Sequence, residues 1–88
     1  MPYIKQKDRE KFGAALRALH NVGPINNPGE LNYIFTMIIN QYLVGNGISY
    51  QRINDAMGAL EGAKLELYRR TATPYEDEKI KQNGDVSY

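Results

Sequence analysis

The pattern of apolar positions predicts helices along most of the chain. In the first predicted helix, residues 7–19, the side chains of Phe12, Leu16 and Leu19 recur at i, i+4 and i+7. This spacing places them in one stripe, which is typical of a helix that is covered on a single face. The stretch at residues 21–26 contains a glycine followed by a proline, so it predicts the loop that ends this helix.

The second predicted helix has the clearest start signal and the widest apolar surface. Asn27 is a suitable N-cap, Pro28 falls at the first helical position, and Glu30 completes a capping box. The helix runs to about Val44, and the Gly-Asn-Gly at residues 45–47 ends it. One stripe is formed by Leu31, Ile34, Phe35, Ile38 and Tyr42, and the apolar surface is extended sideways around the axis by Tyr33, Met37 and Val44. Because they surround most of the helix axis, one short subunit can scarcely cover them, and the pattern predicts self-association.

A third helix is predicted from Ser49, its expected N-cap, to about Arg70. Its predicted buried stripe is formed by Ile53, Met57, Leu60 and Leu67. A patch of small residues in its first half predicts that another backbone approaches closely, because a glycine inside a helix costs roughly 1 kcal/mol relative to alanine. The patch comprises Ala56, Gly58, Ala59, Gly62 and Ala63.

A second capping-box sequence at residues 73–76 predicts a short fourth helix, 74–82, set at an angle to the third. An Asn-Gly pair is expected to end it, which leaves residues 85–88 as a polar tail. Together these elements predict a single all-α domain over residues 1–88. We expect three or four helices, a helical hairpin core and assembly as a homo-oligomer.

Composition narrows the classes of function. The 88 residues include no cysteine and one histidine, and 11 basic residues accompany 10 acidic ones, for a net charge of +1. This near balance argues against a protein that coats duplex nucleic acid, and without cysteine we expect neither a disulfide nor a metal site. No apolar run reaches the roughly 18 residues of a membrane span, and residues 1–10 are too charged for a signal peptide. We therefore expect a soluble cytoplasmic protein.

No residue pattern indicates catalysis. His20 is the one imidazole, and at a predicted helix end its ring is expected to complement the helix dipole. Glu61 and Glu66 are five residues apart, so they do not share a helix face well, unlike the paired carboxylates of a hydrolase. The glycines at residues 45–47 match neither a Walker loop nor a dinucleotide fingerprint. We expect no enzymatic activity and no cofactor.

The strongest candidate for binding chemistry is the triplet Tyr68-Arg69-Arg70, near the end of the third predicted helix. Lys64 lies one turn earlier and shares a face with Tyr68. Arginines near a helix C-terminus offset the dipole and tyrosine packs well, so a structural role explains the triplet. The other interpretation is an anion site, because the guanidinium fork matches phosphate or carboxylate oxygens.

Seven tyrosines and no tryptophan extend the same choice of interpretations. Several of them flank basic positions; Tyr3 lies near Lys5, and Tyr75 follows Arg70. Aromatic faces stack on bases while arginines hold phosphates, which suits a nucleotide. The same mixture suits a protein interface or simple packing. The residues alone leave these alternatives open.

Five blocks of the sequence resemble a widespread family of small phage and prophage proteins. The blocks are MPYIKQ at residues 1–6, PGELNY at 28–33, GALEGAKLELYRR at 58–70, YEDEKI at 75–80 and NGDV at 83–86. Together they extend over most of the chain. The sequence is similar to the anti-CBASS sponge proteins of Bacillus phages, which sequester cyclic dinucleotide alarm signals as homotetramers.

This resemblance implies stoichiometric capture of a cyclic dinucleotide in the infected bacterial cell, without cleavage, in a pocket formed where subunits meet. The residues expected to bind it are Arg69, Arg70 and Lys64 for the phosphates, Tyr68 and Tyr75 for stacking, and Lys5 and Tyr3 to close over the site. Two alternatives stay open. One is a phage-encoded module that docks on a host protein, and the other is a weak binder of single-stranded nucleic acid.

Overall fold

The computed structural model describes residues 4–86, and every regular element in that part of the chain is helical. The helices are α1 (Gln6–Arg9), α2 (Gly13–Asn21), α3 (Pro28–Asn46), α4 (Tyr50–Leu67) and α5 (Thr73–Asn83). A 3₁₀ turn at Glu10–Phe12 joins α1 to α2, and a π-helical turn at Tyr68–Ala72 joins α4 to α5. The prediction of an all-α chain is confirmed. None of these helices is both long and apolar enough to cross a membrane.

Glycines with positive φ end two of the helices. Gly23 has a φ of +113°, and its N–H donates to the carbonyl of His20 at 3.2 Å, just after α2. Gly84 has a φ of +82°, and its N–H donates to the carbonyl of Ile80 at 2.8 Å, just after α5. Residues with a side chain rarely adopt this conformation, so glycine there allows the chain to leave the helix. Both predicted ends are confirmed.

Local hydrogen bonds explain why α3 begins where it does. The side-chain oxygen of Asn27 accepts from the N–H of Glu30 at 2.9 Å, which confirms the predicted N-cap. The Glu30 carboxylate in turn accepts from the N–H of Asn26 at 2.7 Å, one residue before the position used in a standard capping box. Both bonds join residues within one turn, so the start of α3 needs no support from distant parts of the chain.

The connection between α3 and α4, residues 47–49, is also fixed locally. Gly47 has a φ of +91°, and its carbonyl accepts from Nη1 of Arg52 at 3.0 Å. The hydroxyl of Ser49 accepts from the N–H of Arg52 at 3.2 Å, which confirms Ser49 as the N-cap of α4. One arginine, half-buried at the start of α4, therefore holds both the end of one helix and the beginning of the next.

The predicted break before the fourth helix is wrong. Thr73 has right-handed helical φ and ψ of −61° and −50°, and its N–H donates to the carbonyl of Tyr68, five residues earlier. Pro74 has no N–H, and in a regular α-helix its ring collides with the carbonyl four residues before it. A turn of π-helix widens the backbone at this point, so the proline lies inside a continuous helix instead of starting a new one.

The chain forms two compact units, residues 4–41 and 42–86, divided within α3. In neither unit is a large apolar side chain fully buried, and Ala56, at 7% exposed, is the one buried hydrophobic residue in the described part of the chain. Met57 is 66% exposed, although it was predicted to lie in the buried stripe of the third helix. That prediction is wrong for the single chain, because no described residue covers Met57 completely. Ile38, on the helix that one subunit was not expected to cover, is 57% exposed.

Candidate functional site

The predicted site residues lie in two parts of the chain. Those in the second unit are Lys64 on α4, Tyr68, Arg69 and Arg70 in the π-helical turn, and Tyr75 in the first turn of α5. Lys5, an exposed residue just before α1, belongs to the first unit. Tyr3 lies outside the described residues. The geometry of the candidate site is consequently that of the helix from α4 through α5.

Glu66 brings the two predicted arginines together. Its Oε2 accepts from Nε of Arg70 at 2.5 Å, and its Oε1 lies 3.9 Å from Nη1 of Arg69. The Glu66 side chain is 24% exposed, whereas that of Arg70 is 59% exposed. The hydrogen bond from Arg70 lowers the pKa of the Glu66 carboxyl group, so the carboxylate stays ionised to a lower pH than an isolated glutamate does. We call Glu66, Arg69 and Arg70 the arginine patch.

Lys64 and Tyr68 have different acidic partners. The ammonium group of Lys64 lies 3.7 Å from the carboxylate of Glu61, and the hydroxyl of Tyr68 donates to the carboxylate of Glu76 at 3.3 Å. The bond from Tyr68 to Glu76 spans the π-helical turn and ties α4 to α5. We call Glu61, Lys64 and Tyr68 the tyrosine patch.

The two patches point to opposite sides of the helix. Each residue of an α-helix advances the direction of the side chain by about 100°, and each residue of a π-helical turn advances it slightly less. Tyr68 and Arg70 are two residues apart, so their side chains leave the axis roughly half a turn from one another. Lys64 precedes Tyr68 by four residues and Glu66 precedes Arg70 by four, which keeps each patch on its own side. One helix cannot direct both patches at the same phosphate group.

Tyr75 adds a third aromatic position, and it is covered on one face. The ammonium group of Lys79 lies 5.5 Å from the centre of its ring, within the range of a cation–π contact. The ring is otherwise largely exposed. One face is therefore open to a ligand or a second chain.

The family to which the sequence belongs is shown by a match over nearly its whole length. The model of a domain of unknown function, DUF6899, matches residues 1–86. The chain belongs to the DUF6899 family. No curated protein and no solved structure matches the sequence. Both patches of the DUF6899 chain lie inside the matched range.

Every predicted phosphate contact in the second unit of the DUF6899 chain already has an acidic partner. Sequence reasoning singled out the cations and missed Glu61 and Glu66 as their partners. The spacing of Glu66 and Arg70, i and i+4, was the available signal for one of these pairs. Solvent-exposed pairs of this kind contribute little to stability. An anionic ligand can therefore share these cations with their acidic partners, and the arrangement is compatible with anion binding.

The first unit of the DUF6899 chain contains a cavity that the sequence did not predict. It has a volume of about 540 Å³ and lies beside the loop between α2 and α3. Its apolar lining includes Leu19, Val22, Ile25, Tyr33 and Ile34. Among residues 4–86, no group of three or more histidine, cysteine or acidic side chains is arranged to hold a metal ion.

Proposed function

We propose that this DUF6899 chain is a binding protein that functions as a homo-oligomer and captures cyclic dinucleotides without cleaving them. In this proposal it is a phage immune-evasion sponge that acts in the cytoplasm of the infected bacterial cell. The observation that carries the proposal is the uncovered apolar surface, since Ala56 is the one buried hydrophobic residue among those described. Surface of this extent favours copies that complete one another's core.

Assembly is supported by the distribution of apolar residues along α3. Ile38, Tyr33 and Val44 all remain more than half exposed, and they extend along most of the length of the helix. A helical hairpin of α3 and α4, packed against further copies, is the core we propose, and a tetramer is the expected assembly.

The ligand class is supported by the chemistry of the two patches. Arg69 and Arg70 each offer a planar fork with free edges, which suits the oxygens of a phosphodiester. Tyr68 and Tyr75 offer exposed rings for stacking on bases, and Lys64 supplies a further cation. A cyclic dinucleotide contains two phosphates and two bases arranged about a ring, so it fits a site that two copies of one chain supply.

The opposite directions of the patches favour a shared site. If one chain presents its arginine patch to a ligand, its own tyrosine patch faces away from the same phosphate. A second copy can supply the missing Tyr68 and Lys64 through a head-to-tail interface, in which one surface of a chain meets a different surface of the next chain and the assembly closes into a ring. Turnover has no part in this proposal, and the protein is expected to release its ligand unchanged.

The decisive experiment is ligand capture with a matched charge control. Purified protein is titrated by calorimetry with cyclic di-AMP, cyclic di-GMP and cyclic GMP–AMP, and a loaded sample is then heat-denatured and analysed by mass spectrometry. Intact nucleotide in the supernatant supports a sponge, whereas a cleaved product means catalysis. Absence of binding by all three nucleotides refutes the proposed ligand class.

The arginine variant identifies the site. Arg69→Ala/Arg70→Ala should weaken binding about ten- to a hundredfold or more while light scattering shows unchanged assembly, because each charge-assisted hydrogen bond contributes about 1.5–3 kcal/mol. Arg17→Ala/Lys81→Ala removes the same charge from positions outside both patches and should bind as the wild type does. Equal affinity of the two double variants removes the arginine patch from the site.

A second candidate, a module that docks on a host protein, is favoured by the same exposed apolar surface and by its tyrosines and arginines. It predicts no nucleotide binding and a stable complex with one host protein after co-purification. The third candidate, a binder of single-stranded nucleic acid, predicts an affinity that falls steeply with salt. The net charge of +1 and the acidic partners of Arg70 and Lys64 argue against this third function.

A further inference from the structure

The orientation of Arg70 is set by one carboxylate. A guanidinium group has five N–H donors in a rigid plane, and the Nε–H of Arg70 donates to Glu66. In residues 4–86 no other side chain or carbonyl accepts a hydrogen bond from Arg70. The Nη1 and Nη2 groups are therefore available to a ligand, on an arginine whose side chain is largely exposed.

Glu66 is suited to hold that plane in place. It is the least exposed acidic side chain of the four described ion pairs, and it lies one helical turn before Arg70 on the same face. Its second oxygen faces Arg69 at 3.9 Å, so a single carboxylate is shared by both arginines. An arginine without such a partner samples many rotamers, and fixing it on binding costs conformational entropy.

We infer that Glu66 is a positioning residue, which accepts the Nε–H of Arg70 and so presents the Nη1 and Nη2 edge of that guanidinium to a phosphodiester. This inference rests on the proposed function, in which Arg70 contacts a phosphate of the ligand. Glu66 itself carries the same sign of charge as the ligand and touches no part of it. Its contribution is to orient its neighbour before binding.

Neutralising Glu66 changes the affinity for the ligand in opposite directions under two hypotheses: Glu66 positions Arg70, or Glu66 acts only through its charge. Glu66→Gln raises the net charge of the chain by one, so Coulomb attraction alone predicts tighter binding of an anion. Loss of a positioning carboxylate predicts weaker binding by about tenfold, as for outer-shell partners that orient metal ligands. Glu78→Gln is the matched control, because it makes the same charge change in an ion pair with Lys81 that lies outside both patches.

The test is calorimetric titration of the wild type and both variants with whichever of cyclic di-AMP, cyclic di-GMP and cyclic GMP–AMP the wild type binds most tightly. Affinity about tenfold weaker in Glu66→Gln, with Glu78→Gln unchanged or slightly tighter, supports the inference. Equal or tighter binding by Glu66→Gln overturns it and leaves the sponge proposal intact. A wild type that binds none of the three overturns the proposed function and the inference together.

Two further variants separate positioning from a general structural role and from misfolding. In an Arg70→Ala background, Glu66→Gln should cause no additional loss of affinity, whereas a structural role for Glu66 would add one. Arg70→Lys keeps the charge and leaves Glu66 in place but lacks a planar fork, so it should bind more weakly than the wild type and more tightly than Arg70→Ala. Wild-type affinity in Arg70→Lys overturns the inference even where Glu66→Gln fails to fold.

Discussion

The substitution Ile38→Lys tests whether copies of the chain cover the apolar surface of α3. Ile38 is 57% exposed in the single chain, so a lysine at this position meets no steric obstacle there. A substitution at an exposed helix position changes stability by about 0.5 kcal/mol at most, and lysine is a slightly better helix former than isoleucine. If the chain functions alone, Ile38→Lys is therefore close to neutral.

If another copy of the chain covers Ile38, the substitution Ile38→Lys has a larger effect. Full burial of an isoleucine side chain contributes about 1.5–3 kcal/mol, and more than half of Ile38 is still exposed, so a partner that covers it recovers about 1–2 kcal/mol. In a twofold interface the loss occurs in both chains and amounts to about 2–4 kcal/mol. Since 1.4 kcal/mol is a factor of ten, the dissociation constant should rise about 30- to 700-fold. Burial of the lysine ammonium group increases the effect wherever the side chain cannot reach solvent.

Sedimentation equilibrium over a range of protein concentrations measures this change directly. The wild type should sediment above 10.0 kDa, and its Tm should rise with protein concentration, because mass action links assembly to folding. Asn40→Lys is the matched control, because it places the same residue on α3 two positions away, about 200° around the axis. A wild type that sediments as a stable 10.0 kDa monomer refutes the reasoning, as does an Ile38→Lys variant that associates as tightly as Asn40→Lys does.

Three further predictions follow from local geometry. Gly47→Ala should lower the free energy of unfolding in urea by about 1–3 kcal/mol, because Gly47 has a φ of +91°; an unchanged denaturation midpoint would contradict this strain. Gly58→Ala should raise the free energy of unfolding by about 0.5–1 kcal/mol, because a Cβ at this position meets nothing within 4 Å. A lower free energy of unfolding would contradict this and indicate that a second backbone packs against α4 there. The pKa of Glu66 is depressed below its ordinary 4.5, so its stabilising contribution is complete above that pH and is lost as the pH falls through the folded-state pKa. Thermal melts across this acid range should show a smaller pH dependence in Glu66→Gln, and an identical slope would contradict the assignment.

The helix ends could be predicted from the sequence because they depend on neighbours. Asn27 and Ser49 accept N–H groups three residues ahead, and Gly84 ends α5 through its own backbone conformation. No distant contact is needed for any of these, so the residue types carry the whole signal. Thr73 failed as a predicted N-cap for a related reason. Residues 73–76 fit a capping box, but α4 continues through a π-helical turn into α5, so Thr73 lies inside the helix and does not begin a new one.

The arrangement of the candidate site was harder to predict because it depends on direction around the helix axis. Tyr68 and Arg70 are only two positions apart in the sequence, yet their side chains point to opposite sides of the helix. Each side of the helix has its own carboxylate partner, since Glu66 pairs with Arg70 whereas Glu61 pairs with Lys64. Spacing identifies such pairs only after one decides that they matter. The prediction of buried side chains also failed, because an apolar stripe indicates which helix face needs to be covered and does not identify what covers it.

In the proposed function, two features allow so small a chain to build a binding site. Its helices are fixed by local contacts, and their apolar faces are not covered within the chain. Caps and glycines define each helix without a core, so the apolar faces stay free to pack against another copy. In the proposed assembly, a site formed by two copies uses each helix twice, once for its arginine patch and once for its tyrosine patch. This arrangement doubles the number of chemical groups that 88 residues can direct at one ligand. It also couples capture to assembly, because a ligand that bridges two copies favours the assembled state by mass action.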